Sequence, residues 1–154
     1  MTLVLGVPQA SHVQAHVLRA YPEEGCGVML GGECQGQRQV TRIVTFENQR
    51  VDSRHNRYLI SPEQFLAAEC QGRELGVDVI GFFHSHPDHP ARPSAFDLEH
   101  AWPYYSYLIV SVLQGRIGEM QSFRLAADRS HFETESLELS GGAARTPRPA
   151  GENP

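Results

Sequence analysis

The sequence predicts a mixed α/β fold in which one central sheet is flanked by helices. Short apolar runs bounded by glycine or turn residues predict strands. Segments with helical spacing of apolar residues lie between them, without a regular strand–helix–strand repeat. The chain has 154 residues, of which 40% are hydrophobic and 20% are charged. This size and composition suit one globular domain with a sizeable core, so a second independent domain is not expected.

The first part of the chain contains one predicted helix followed by three predicted strands. Apolar residues at roughly helical spacing, with a proline that is acceptable in a first turn, predict a helix over Pro8–Ala20. The glycine-bounded apolar run Gly25–Gly32 predicts a buried strand. Two further strands are predicted at Val40–Phe46 and Arg57–Ile60.

The most clearly marked helix comes next. Ser61 supplies an N-cap, Pro62 a proline at the first helical position, and Gly76 a residue that ends the helix. The mainly apolar run Val77–Phe83 then leads directly into His84-Ser85-His86. This order predicts a central strand that carries both histidines at its end.

A proline-rich loop and the remaining strands complete the predicted domain. Three prolines keep the chain in a loop until Ser94, which predicts the cap of a short helix. Tyr105–Leu113 predicts a buried strand, and Ile117–Leu125 and Phe132–Leu139 predict a closing hairpin. The domain is therefore expected to span residues 1–139.

Residues 140–154 differ in composition from the rest of the chain. They are small, polar and proline-rich, with too few apolar side chains to offset the entropy of ordering. We expect a disordered tail there.

The charge and hydropathy of the chain exclude two classes of partner. A formal net charge of -5 and a pI near 5.9 provide no basic surface for phosphate backbones, so nucleic acid is not an expected partner. No stretch approaches the roughly 18 apolar residues of a membrane-spanning helix, and no signal-peptide pattern is present. Cys26, Cys34 and Cys70 are too few for a disulfide framework. We expect a cytoplasmic protein with reduced thiols.

Four residues in the second half of the chain have a spacing that suits a metal centre. In an extended strand His84 and His86 point to the same side, and in a helix Ser94 and Asp97 share one face. Two imidazoles and one carboxylate are a common ligand set for catalytic zinc, which leaves the fourth position to water. Other divalent ions are also compatible with this set.

This spacing resembles a known motif. His84-x-His86, seven residues, Ser94, two residues and Asp97, with the upstream segment Pro22-x-Glu24-x-Cys26-Gly27, resemble the JAMM motif of the MPN-plus family. The residues around the histidines resemble small bacterial members in particular. The resemblance extends over most of the chain.

The resemblance implies a cytidine-deaminase-like αβα sandwich and a zinc-dependent peptidase with one Zn²⁺ per chain. It implies that His84, His86 and Asp97 hold the metal. Glu24 would act as the general base toward the attacking water and then as the acid toward the leaving amine. Ser94 would donate a hydrogen bond to the oxyanion of the tetrahedral intermediate.

The resemblance also implies a class of partner. Such enzymes cleave peptide or isopeptide bonds beside the C-terminal tail of ubiquitin-like proteins, and the bacterial type suggests a β-grasp sulfur carrier that ends in Gly-Gly. Its tail needs an extended groove, which Asn48 or Arg57 would line. The identity of the carrier, the choice between a linear peptide and a lysine isopeptide bond, and homodimerisation stay open.

Other interpretations use the same part of the chain. Composition alone leaves Glu23 as open as Glu24, and only the family register selects the latter. His84-x-His86-x-Asp88-His89 matches the signature of metallo-β-lactamase-type hydrolases, although the chain is short for that fold. Cys26 suggests a thiol nucleophile, but a small buried thiol usually behaves as a hydrophobic side chain. A metal-free MPN scaffold that only binds partners is a further alternative.

Overall fold

The computed structural model describes residues 1–48 and 60–141. Its strands and helices are, in chain order, β1 (Thr2–Gly6), α1 (Val7–Ala20), β2 (Cys26–Cys34), β3 (Gln37–Phe46), α2 (Pro62–Leu75), β4 (Asp78–Pro87), α3 (Ala95–His100), β5 (Ser106–Leu113), β6 (Arg116–Leu125) and β7 (Phe132–Ser140). No helix among these residues has the length and apolar run that a membrane crossing requires.

The predicted elements that fall on the described residues are present, with ends shifted by a few positions. The first strand, β1, has no counterpart among the predicted elements. The predicted strand Arg57–Ile60 lies outside the described residues except for its last residue, and so does the tail beyond Gly141. Because β7 ends at Ser140, the folded region runs one residue past the predicted boundary at residue 139.

The strands form one mixed sheet that closes on itself. Its order is β1-β3-β2-β4-β5-β6-β7, and β1 pairs in parallel with both β3 and β7. The pair β4–β5 is also parallel, whereas the other neighbours are antiparallel. The N-terminal strand therefore joins the two edges that would otherwise stay open.

Helices cover both faces of this sheet. The apolar side of α1, which includes Val13 and Val17, packs into the largest core cluster. On the opposite face α2 contributes Ala68 to a second cluster. This is the αβα arrangement that the resemblance implies.

Strand β4 lies between these two helices, and its sequence shows why. Val79 belongs to the cluster under α2 and Ile80 to the cluster under α1, because successive side chains of a strand point to opposite faces. A strand that is covered on both faces is apolar almost throughout, as the run before the histidines is. The two histidines are thus delivered by the middle of the sheet.

Local signals set the ends of α2. Ser61 accepts a hydrogen bond from the backbone N–H of Gln64, and the side chain of Gln64 accepts one from the N–H of Ser61. At the other end Gly76 adopts a left-handed conformation with φ of 70°, which glycine tolerates without a steric penalty. Both ends are where the sequence predicts them.

Candidate metal centre

The three predicted ligands converge at one point. His84 and His86 project from the end of β4, and Asp97 projects from the first turn of α3. The two Nε2 atoms are 3.1 Å apart. Asp97 Oδ1 lies 3.2 Å from His84 Nε2, and Asp97 Oδ2 lies 3.2 Å from His86 Nε2. All three side chains are at most 9% exposed.

This geometry fits a zinc ion. Ligand atoms around tetrahedral zinc are about 3.3 Å apart, given metal–ligand distances near 2 Å, and the observed separations of 3.1 and 3.2 Å are close to that value. His86 Nδ1 lies 3.1 Å from the carbonyl oxygen of Pro90, so its N–H donates there and its Nε2 keeps a lone pair for a metal. Three protein ligands would leave the fourth position to water.

The charges in this cluster stabilise a carboxylate. Burial alone would raise the pKa of Asp97, but the charge of His84 and the hydrogen bonds from His84 and His86 lower it well below its usual range. Burial alone would lower the pKa of His86, but its hydrogen bond to Asp97 and the carboxylate charges raise it. Asp97 therefore remains a carboxylate at neutral pH, as a cation ligand requires.

Glu24 lies at the edge of the same cluster. It follows a cis peptide bond between Tyr21 and Pro22, and only Gly25 separates it from β2. Its Oε1 is 4.0 Å from His86 Nε2, and the residue is 4% exposed. The neighbouring Glu23 is exposed at the surface. Of the two acids that composition leaves open, the fold therefore places Glu24 beside the ligands.

Ser94 is the N-cap of α3 and orients a ligand. Its hydroxyl oxygen accepts a hydrogen bond of 3.1 Å from the N–H of Asp97, and its own N–H donates to Asp97 Oδ2 at 2.8 Å. This reciprocal pair is a capping box. Ser94 thus has the capping role that the sequence predicts. The two bonds leave its hydroxyl hydrogen available for a substrate.

An aromatic cavity opens beside the candidate ligands, where the resemblance implies a groove for a tail but not these walls. Its volume is about 670 Å³, and His84 and Asp97 form part of its wall. Trp102 and Tyr104 on its rim are 61% and 52% exposed. The sequence feature that could have predicted this cavity is the aromatic segment from residue 102 to residue 105. The rest of the wall is rich in aromatic rings, including those of Phe65, Phe82, Phe96, Tyr105 and Tyr107.

The other residues considered from the sequence have different surroundings. Asn48 donates a hydrogen bond of 3.4 Å to the carbonyl oxygen of Glu24, so it lies near the site. Arg57 lies outside the described residues. Burial, and then the charge of Glu24, raises the pKa of the Cys26 thiol to about 12. Cys26 is therefore protonated at neutral pH and is a poor nucleophile.

The two further residues required by the metallo-β-lactamase alternative, Asp88 and His89, do not join this cluster. Asp88 accepts hydrogen bonds from the hydroxyl of Tyr21 at 2.8 Å and from the N–H of Gln114 at 2.7 Å. His89 is exposed. Among the described residues, the converging group of ligating side chains consists of His84, His86 and Asp97.

Comparison with known proteins agrees with this arrangement. The profile of prokaryotic homologs of the JAB domain matches residues 7–126. A desampylase of Haloferax volcanii is 36% identical over 102 residues, which are 66% of this chain and 71% of the relative. A probable TtuB-protein conjugate cleaving protease of Thermus thermophilus is 34% identical over 109 residues, 70% of each chain.

A solved structure extends the match to nearly the whole fold. The solution structure of protein DSY2949 from Desulfitobacterium hafniense superimposes with a TM-score of 0.80 at 30% sequence identity, covering 92% of this chain and 94% of that one. The family profile spans Glu24, both histidines, Ser94 and Asp97. This chain therefore belongs to the prokaryotic JAB-domain family, as an enzyme of the JAMM metallopeptidase type.

Proposed function

We propose that this enzyme uses zinc to hydrolyse a peptide or isopeptide bond at the C-terminal tail of a ubiquitin-like sulfur carrier protein. The observation that supports this most directly is the position of Glu24, whose carboxylate lies 4.0 Å from a ligand atom of the converging cluster. The relatives described as a desampylase and a conjugate-cleaving protease agree with such a reaction.

The donor set proposed for the metal is His84, His86 and Asp97. A zinc ion bound by them would act as a Lewis acid and lower the pKa of a water toward about 7. Asp97 supplies the negative charge of the set, and the N–H of Ser94 holds its Oδ2 in place at 2.8 Å. The carbonyl of Pro90 fixes the ring of His86 at 3.1 Å.

Two side chains would act on the substrate itself. Glu24 takes the proton of the attacking water and later passes it to the leaving amine, which requires an acceptor near the ligands but not among them. Its 4 Å separation from His86 Nε2 meets that requirement. Ser94 donates its hydroxyl hydrogen to the oxyanion, a role in which one donor typically contributes about 3 kcal/mol.

The cavity beside the ligands suits a peptide tail. A Gly-Gly end has no side chains, so its backbone can approach the ligands closely. The aromatic walls around Phe82 and Trp102 would take apolar side chains beyond the Gly-Gly pair. Asn48, which contacts the Glu24 segment, would lie along the same tail.

The decisive experiment is intact-mass spectrometry of a β-grasp carrier extended past its Gly-Gly end. We expect the wild-type zinc enzyme to cleave after Gly-Gly. Glu24→Ala should bind zinc and lose turnover, whereas His86→Ala should lose both zinc and turnover. Glu23→Ala is the matched control, because it removes the adjacent, exposed acid and should cleave like wild type.

Two results would contradict the proposal. Full activity of Glu24→Ala would exclude the assigned base. Absence of cleavage by the wild type with zinc bound, on both the extended carrier and a lysine-linked carrier conjugate, would exclude the assigned substrate.

A further inference from the structure

Glu24 is connected to the histidine strand through its neighbour Gly25. The N–H of Ser85 donates to the carbonyl oxygen of Gly25 at 3.0 Å, and the N–H of Gly25 donates to the hydroxyl oxygen of Ser85 at 2.9 Å. In an ordinary antiparallel pair, both bonds join backbone groups. Here a side chain supplies the second acceptor, so this bridge depends on which residue stands at position 85.

The bridge lies on the side of the strands that faces away from the chemistry. His84 and His86 point toward the metal cluster, so Ser85 between them points to the other side. A Cβ atom on Gly25 would lie 3.1 Å from the Cα of Val17 in α1. Ser85 is 0% exposed, so solvent does not compete for this hydrogen bond in the intact protein.

We propose that Ser85 is a positioning residue for the general base, because its hydroxyl holds the Glu24 segment at a set distance from the metal ligands. This inference rests on the proposed role of Glu24. Ser85 contacts neither substrate nor metal; it acts through Gly25, which is adjacent to Glu24 in the chain.

The metal ligands themselves do not depend on this hydroxyl. Strand β4 pairs with β5 from Gly81 to Pro87, and His84 and His86 lie opposite Ile109 and Ser111 in that pairing. The third ligand comes from α3. Loss of the hydroxyl should therefore move Glu24 relative to the ligands while the ligand group stays assembled.

A second contact joins the same two segments, but it is weaker as a restraint. The hydroxyl of Tyr21 donates to Asp88 Oδ2 at 2.8 Å, which connects the end of α1 to the loop after β4. That bond is exposed to solvent, whereas the bond between Gly25 and Ser85 is buried. Water competes for the exposed bond, so the buried bridge is the stronger of these two restraints on the Glu24 segment.

The test measures kcat, KM and zinc content of wild-type and Ser85→Ala enzyme on the extended carrier. We expect kcat to fall by about 10- to 100-fold, because a displacement of about 1 Å in a reacting group can reduce the rate by about 100-fold. KM and zinc content should not change. In the Ser85→Ala protein the amide of Gly25 should also exchange its hydrogen with solvent faster, as measured by NMR.

Ser122→Ala is the matched control. Ser122 is a buried strand serine whose hydroxyl donates to Glu135 at 2.9 Å, but it lies on β6 and is not part of the ligand cluster. Its loss should leave kcat at the wild-type value. If Ser85→Ala does not fold, Ser85→Thr and Ser85→Val replace it, because they share one shape and only threonine keeps the hydroxyl oxygen. The kcat of Ser85→Thr should then exceed that of Ser85→Val by at least about tenfold.

Several outcomes would overturn the inference. These are an unchanged kcat in Ser85→Ala, an equal loss in Ser122→Ala, a loss of zinc from Ser85→Ala, or equal rates for the threonine and valine variants. If the wild type cleaves no carrier, the proposed substrate is wrong. The hydrogen exchange rate of the Gly25 amide in Ser85→Ala then tests the inference. An unchanged exchange rate there would reject the bridge, and a faster one would support it.

Discussion

Asp97 connects the two elements that build the metal cluster. Its carboxylate oxygens face His84 and His86 on β4, while its backbone N–H and its Oδ2 bond to Ser94 at the start of α3. In the metal-free protein the same carboxylate raises the pKa of His86. When no metal is bound, Asp97 and protonated His86 therefore form an ion pair.

This ion pair predicts a pH dependence of the metal-free protein. A raised pKa means that protonated His86 stabilises the folded state. That contribution is complete below the unfolded pKa of about 6.5 and is lost as pH rises through the folded pKa. His86→Gln should therefore lower the free energy of unfolding more near pH 5.5 than near pH 8.5. Urea unfolding with a chelator present measures this, and a difference that grows with pH would contradict it.

At the scale of elements, the two capped helices show what local sequence can specify. Ser61 and Ser94 both cap as the sequence predicts, and each forms a reciprocal pair with the residue three positions later. In α2 that partner is Gln64, which has no role in the site. In α3 that partner is Asp97, so the capping bonds also hold a proposed metal ligand in place.

Ser94 is a cap in the structure and the proposed oxyanion donor, and a pair of variants can separate these two roles. Glycine at an N-cap costs only a few tenths of a kcal/mol relative to serine, whereas alanine costs about 1 kcal/mol. We expect Ser94→Gly to keep near wild-type stability and Ser94→Ala to lose about 1 kcal/mol. Both should lose roughly 100- to 1,000-fold in kcat, because neither can donate to the oxyanion.

Thermal unfolding and steady-state cleavage of the carrier measure the two quantities. Wild-type kcat in Ser94→Gly would show that Ser94 is a cap alone. Higher activity in Ser94→Thr, which keeps the hydroxyl, than in Ser94→Ala would support the oxyanion role.

At the scale of the whole molecule, closure of the sheet depends on close contacts between strands. A Cβ atom on Gly81 in β4 would meet the carbonyl oxygen of Ser106 in β5 at 2.3 Å. That neighbour is backbone and cannot rotate away. Gly81 therefore sets the spacing of the two parallel strands behind the histidines.

Gly81→Ala should consequently separate β4 from β5. We expect a loss of about 1 to 3 kcal/mol or more in the free energy of unfolding, as for other overpacked cores, together with weaker zinc binding. Gly32→Ala is the control, since Gly32 also lies in a strand but has no atom within 4 Å of the added Cβ. Equal stability of the two variants in urea unfolding would contradict the close contact.

Other features of the fold have no local signature. Strand β1 is five residues long, and its partners β3 and β7 are far away in sequence. Arg38 is 0% exposed although arginine is usually a surface residue. Its Nη1 donates to the carbonyl oxygen of Ile80 and to the hydroxyl of Ser106, both at 3.1 Å. Only the assembled sheet brings these acceptors to one charged side chain.

The sequence by itself determined the α/β class, the helix ends at Ser61 and Gly76, and the candidate ligand set His84, His86 and Asp97, because periodicity, caps and motif spacing act over a few residues. The tertiary structure decided that Glu24 rather than Glu23 faces the ligands and that Ser85 anchors Gly25. It also formed the aromatic cavity beside His84. These features join distant segments, such as those of Gly25 and Ser85, which are 60 residues apart. Contacts over such separations exist only when packing has closed the chain between them.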